Sequence, residues 1–139
     1  MSESAERNGR AHLETIVEVY KAHEHFAEDR RQPDPLEVDG ITFTDETYLD
    51  EYVHEMPLSV LVRSDWHFPG KEAESTEYEI LLSTGGPALR IVGELDQYSQ
   101  PTSANIQTQD WFEPWTDMTT TEEEDAALIF FVSCFYFGE

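Results

Sequence analysis

Between Ala11 and Phe26 the apolar residues Leu13, Ile16, Val17 and Tyr20 recur at helical spacing, with Glu14, Glu18 and Lys21 on the opposite face. The spacing predicts a helix. Residues 1–9 read as a frayed tail. The stretch Glu28–Asp39 (EDRRQPDPLEVD) is polar, holds two prolines and reads as a loop. Thr44 stands where an N-cap belongs, with Asp45 and Glu46 in the first turn. Tyr48, Leu49, Tyr52 and Met56 then form the apolar stripe of a second helix. Pro57 ends it, because the residue before a proline is pushed out of the helical region.

After Pro57 the period falls from 3.6 to 2. Leu58, Val60 and Val62 alternate with Ser59, Leu61 and Arg63. Tyr78, Ile80 and Leu82 alternate with Glu77, Glu79 and Leu81. Leu89 and Ile91 alternate with Arg90 and Val92, and Ile106 and Thr108 with Asn105, Gln107 and Gln109. These segments predict four strands. Thr84-Gly85-Gly86-Pro87 is a short link of hairpin type. Closure there sets Leu82 against Leu89 and Ile80 against Ile91 on one face. Glu79 then faces Val92, Leu81 faces Arg90, and Glu94 falls opposite Glu77. This register buries one face and agrees with the alternation.

Thr119–Asp125 (TTTEEED) resembles a helix start, with acids crowded where a helix dipole is positive. The run AALIFFVSCFYF that follows reads as a buried helix. Its residues also favour strands, so residues 126–137 stay open between the two. The whole chain, 1–139, is expected to form one α+β domain: an antiparallel sheet of about four strands with helices packed on one face.

Composition changes the picture through charge. The chain of 139 residues has 30 acids against 8 bases, a net charge of −22. Residues 1–35 hold 8 acids and 5 bases, a net of −3, and residues 36–139 hold 22 acids and 3 bases, a net of −19. No Lys or Arg follows Arg90. Such a field repels DNA and anionic membranes and attracts basic surfaces, so neither direct nucleic-acid binding nor membrane binding is expected. An apolar content of 39% with 12% aromatics fits a folded chain rather than a disordered acidic one. No apolar run reaches transmembrane length, the N-terminus lacks a signal-peptide h-region, and the single Cys134 forbids an internal disulfide. A cytoplasmic location is the default expectation.

Three origins for the acidity compete: solubility, adaptation to high salt, and a binding surface. The first needs only about 2 to 8 units of net charge. Scarce lysine (Lys21 and Lys71) suits salt adaptation. Glu outnumbers Asp 20 to 10 and bulky aromatics are plentiful, which salt adaptation alone does not favour.

Little points to catalysis. His23-x-His25 sends two rings in divergent directions on a helix and is poor for one metal. Cys134 sits in an aromatic run far from any base, the setting of a buried, inert thiol. There is no phosphate loop and no nucleophile elbow. A carboxylate pair of glycosidase type would need a cleft. No enzyme activity, cofactor or metal is expected. Asp110–Asp117 (DWFEPWTD) interleaves aromatics with acids. Either the aromatics plug the core and the acids face water, or the segment is a contact patch.

Acid spacing is more informative. Glu46/Asp50 and Glu51/Glu55 are like-charge i,i+4 pairs, each destabilising by a few tenths of a kcal/mol. Glu77 and Glu79 stand roughly 6.5 to 7 Å apart along one strand face, with Glu94 opposite Glu77. Stability alone does not select this arrangement. Rows of negative charge at such spacing suit a basic groove made for a nucleic-acid backbone.

The strings LSVLVRSDWHFPG, EYEILLSTGGPALRIVGELDQY, QDWFEPWTD and FYFGE, spread over residues 57–139, resemble a family of small acidic proteins carried by bacterial plasmids, phages and integrative elements. That setting implies anti-restriction or anti-CRISPR inhibitors, some of which mimic DNA. It assigns no functional residue. The expected function is a nucleic-acid-mimic inhibitor of a basic host protein, a CRISPR effector or a restriction enzyme. The expected partner-binding residues are Glu46, Asp50, Glu51, Glu55, Glu77, Glu79, Glu94 and Asp96, with Trp111 and Trp115 as anchors. Self-association into a homodimer stays open. The alternative is a non-enzymatic protein of a salt-adapted organism.

Overall fold

The computed structural model describes residues 3–28, 33–71, 74–84 and 87–138. Helix α1 (Glu3–Glu28) opens the chain. Its inward stripe is Ala5, Gly9, Leu13, Ile16, Val19, Ala22 and Phe26, all buried at three- and four-residue steps. Residues 3–9 are therefore helical rather than a frayed tail. Their buried positions carry Ala5 and Gly9, too small to register as an apolar stripe. Gly9 lies against Met118 and Thr108, where a larger side chain would collide with Met118. Met1 and Ser2 lie outside the described residues.

The expected loop over Glu28–Asp39 is corrected at its end. Strand β1 (Leu36–Val38) pairs antiparallel with β2 (Ile41–Phe43). Between them Asp39 and Gly40 have φ of 50° and 77°, the positive values that a two-residue hairpin turn demands. Glu18 accepts the Asp39 N–H at 2.9 Å and ties the hairpin to α1.

Helix α2 (Glu46–Glu55) is capped by Asp45, one residue later than expected: its carboxylate accepts Thr47 N–H at 2.9 Å and Tyr48 N–H at 3.3 Å. Leu49 and Val53 face inward, with Tyr52 and Met56 half-buried beside them. Tyr48, expected in the stripe, is instead 60% exposed.

The main sheet has five antiparallel strands in sequence order: β3 (Ser59–Ser64), β4 (Ser75–Ser83), β5 (Ala88–Glu94), β6 (Asn105–Gln109) and β7 (Thr116–Asp117). The central hairpin matches the expected register at Ile80↔Ile91, Glu79↔Val92, Leu81↔Arg90 and Glu77↔Glu94. Leu82 departs from it. A register shift between Leu81 and Ser83 sets Ser83, not Leu82, opposite Leu89. Leu82 and Leu89 are both buried nonetheless. Gly85 and Gly86 of the expected link lie outside the described residues.

Helix α3 (Glu122–Ser133) settles the open segment as helix up to Ser133. Thr121 accepts Glu124 N–H at 3.2 Å, and the Glu124 carboxylate accepts Thr121 N–H at 2.9 Å, completing a capping box. Arg10–Glu124 (3.6 Å) and Lys21–Glu123 (3.3 Å) join α1 to this start. The core runs between helices and sheet, with Phe26, Phe131, Ile16 and Leu128 on one side and Ile80, Leu89, Ile91 and Ile106 on the other. The helices thus cover one face of the sheet. The other face, bearing Glu77, Glu79, Leu81, Arg90, Val92 and Gln107, carries none of the described helices.

Candidate acidic interface

The ten expected contact residues fall into three places rather than one. The first is the outer face of α2. Inward Leu49 and Val53 leave Asp50, Glu51 and Glu55 exposed, while Glu46 is half-buried. The helix contains no Lys or Arg, and among the described residues Asp50, Glu51 and Glu55 make no ion pair. His54 sits between them. Its ring nitrogens lie 2.7 Å from the Asp50 carbonyl oxygen and 2.9 Å from that of Cys134, which fastens α2 to the end of α3. Beside α2, Tyr48, Glu51, Tyr52 and Glu55 line an open groove against Ile41 and Phe43.

The second place is the uncovered sheet face. Glu77 binds Arg63 through Nε at 2.6 Å. Glu79 binds Arg90 at 2.7 Å, and Arg90 also donates to Gln107 Oε1 at 2.8 Å and lies 4.2 Å over the Trp115 ring. These acids form a ladder of alternating charge, not the bare negative row their spacing suggests. The ladder borders a groove of about 460 Å³ lined by Arg63, Glu77, Glu79 and Arg90. Glu94 remains exposed opposite Glu77. Asp96 holds its own turn: its carboxylate accepts Tyr98 N–H at 2.8 Å and Gln100 N–H at 3.0 Å. α2 packs on α1 and β2 instead, apart from this sheet face.

The third place is the turn after β6. Trp111 is exposed, and Phe112, at φ 62°, is fully so. Trp115 is half-buried against Arg90. The aromatics of this segment therefore do not plug the core.

Burial, with Asp50 nearby, pushes the Cys134 thiol up to about 11, so the thiolate is disfavoured. His23 stacks on Phe130 with centroids 4.7 Å apart, while His25 bonds the Asp34 carbonyl, so the two rings serve separate contacts. Among the described residues no group of three or more His, Cys, Asp or Glu side chains is placed to hold a metal ion. None of the described helices is long and apolar enough to cross a membrane.

Sequence reasoning missed one surface. Leu58, Val60, Leu61 and Val62 of the β3 edge are exposed, as are Trp66 and Phe68 just beyond it. The available signal was a charge minimum: Met56–Gly70 holds only Arg63 and Asp65, one base and one acid.

No family model, no curated protein and no solved structure matches this chain.

Proposed function

We propose that this protein is a nucleic-acid-mimic inhibitor that occupies a basic nucleic-acid-binding surface of a host protein in the cytoplasm, such as a CRISPR effector or a restriction enzyme. The observation that carries this reading is the outer face of α2. It holds Asp50, Glu51 and Glu55 exposed, without ion-pair partners among the described residues, and at spacings that cost helix stability. Elsewhere Arg10, Lys21, Arg63 and Arg90 are each spent on an acid. A basic groove would supply the missing cations and release the counterions it holds against its own nucleic acid. Inhibition is then steric and electrostatic competition.

The test is affinity capture from host lysate with and without competing duplex DNA. It is followed by binding of the captured target at two salt concentrations. The triple variant Asp50→Asn, Glu51→Gln, Glu55→Gln keeps the fold, weakens binding and flattens its salt dependence. Glu6→Gln with Glu14→Gln, on the exposed face of α1, leaves binding unchanged. Wild-type binding by the triple variant removes α2 from the interface, and no DNA-competed partner at all ends the reading.

One observation favours a second reading. Acids also stay exposed on α1 and on the first turn of α3, at Glu122, Glu123 and Asp125, so the negative charge is not confined to one face. That is the distribution of a salt-adapted protein without a dedicated partner.

A further inference from the structure

We infer that the turn Asp110–Glu113 is an arginine-binding site, in which the exposed rings of Trp111 and Phe112 and the carboxylates on either side of them take a guanidinium group from a basic partner protein. The Glu113 N–H closes the turn on the Asp110 carbonyl oxygen at 3.1 Å. Phe112 is thereby the third residue of the turn, at φ 62°. A turn with positive φ at that position calls for Gly or Asn. A bulky aromatic side chain held there is strained. Burial gives nothing in return, because Phe112 is 101% exposed. The surrounding bonds hold the turn in place. The Asp110 carboxylate accepts Trp111 N–H at 3.1 Å, and the Gln109 side-chain amide donates to the Glu113 carbonyl at 3.0 Å. Strained residues kept by their surroundings cluster at sites of binding. Phe112 adds nothing to the core, so the contact it serves lies outside the chain.

The occupant is read from charge and from the chain itself. Asp110 and Glu113 make no ion pair among the described residues, and no Lys or Arg follows Arg90 in the sequence. Trp115, a little further on, shows what an aromatic face beside a carboxylate holds. The Arg90 guanidinium lies 4.2 Å from its ring centroid and binds Glu79 at 2.7 Å. Trp111 and Phe112, with Asp110 and Glu113, offer the same pairing of ring and carboxylate to a cation from outside. Their ring centroids are 6.2 Å apart and the planes are inclined by 43°, so the rings are not stacked on one another. Arginine suits them better than lysine, because its guanidinium is planar, more weakly hydrated and stacks on aromatic faces. Trp66 is the internal contrast. It is 103% exposed, but it borders the same groove as Arg63, whose charge repels a second cation. The inference needs a basic partner but neither α2 nor nucleic-acid mimicry, so it and the proposed function can fail separately.

The experiment is a titration of the full chain with a blocked tripeptide, two arginines about a glycine. About 0.15 M NaCl screens the general attraction of a chain of −22. NMR follows the indole N–H signals of Trp66, Trp111 and Trp115. The expected result is a saturating shift at Trp111 over concentrations that leave Trp66 unmoved. The lysine counterpart of the peptide, equal in charge, binds about threefold more weakly or worse. Phe112→Gly suits the positive φ. It weakens arginine binding by about threefold or more and leaves the melting temperature unchanged or higher. Glu113→Gln weakens binding as well. The triple variant Asp50→Asn, Glu51→Gln, Glu55→Gln binds the peptide like wild type. Equal shifts at Trp66 and Trp111, or equal binding of the two peptides, would mean that the peptide reports only the acidic field, and either overturns the inference. Wild-type binding by Phe112→Gly, a lower melting temperature in that variant, or loss of binding in the triple variant overturns it equally.

Discussion

Gly93 faces the carbonyl oxygen of Ser103 so closely that a Cβ on residue 93 would collide with it. The same carbonyl accepts the Tyr78 hydroxyl at 2.5 Å, and that hydroxyl would stand 2.6 Å from the added carbon. Backbone and a buried phenol cannot both give way cheaply. Gly93→Ala is expected to destabilise the fold by about 3 kcal/mol, at the upper end of the overpacking range. Urea unfolding measures it, and a loss under about 1 kcal/mol would show that the Ser103 segment is free to move.

Thr108 is buried at 1% exposure, and its hydroxyl oxygen finds no hydrogen-bond partner among the described residues. Its methyl faces the Gly9 crossing. Thr108→Val keeps the shape and removes the unsatisfied oxygen, so it is expected to raise stability by about 1 kcal/mol. A lower urea midpoint in the variant would mean that the hydroxyl is satisfied after all.

Alkaline pH should unfold this protein early. Burial and the hydrogen bond to Asp39 push Tyr52 up to about 12, and burial with Asp50 pushes Cys134 up to about 11. Burial raises Tyr78 as well. Each folded value lies above the unfolded one, so the unfolded chain loses these protons first and binds fewer of them. Stability from these groups is complete below about pH 9 and is lost as pH rises towards about 12. The urea midpoint should fall steadily above about pH 9, and less steeply in Cys134→Ala. A flat midpoint up to about pH 10.5 contradicts this.

Salt separates the two readings of the acidity. Self-repulsion at −22 is relieved by screening, so the melting temperature rises with NaCl. For the inhibitor the rise levels off early and the protein is folded in dilute buffer. For a salt-adapted protein it continues into molar salt, with partial unfolding in dilute buffer. Circular dichroism melts across that range decide between them.

Where side chains are large and the period is clean, the elements were legible. Ile80, Ile91 and Ile106 alternate with polar residues and occupy adjacent central strands. Thr121 and Glu124 announce the start of α3 by the residue types of a capping box. The first turns of α1 were hidden because Ala5 and Gly9 are buried for being small. The β1–β2 hairpin was hidden because each strand is three residues long, although Asp39-Gly40 is a turn signal. The candidate site was half legible: Asp50, Glu51 and Glu55 of α2 are outward, while Glu46, the i,i+4 partner of Asp50, is half-buried.

The sequence by itself determined the α+β class, the register of the central hairpin from Glu77 to Leu81, the capped start of α3 and the excess of negative charge. All of these follow from local period or from counting. Only the tertiary structure decided which acids are bare. Arg63 reaches Glu77 across β3 and β4, and Arg90 reaches Glu79 across β4 and β5, so neutralisation depends on strand neighbours rather than on distance along the chain. The same holds for the apolar side chains. Val60 and Val62 alternate like the core strands, yet they stay exposed because β3 lies at the end of the sheet, with no strand beyond it among the described residues. Alternation reports which way a side chain points, and burial depends on what stands there to meet it.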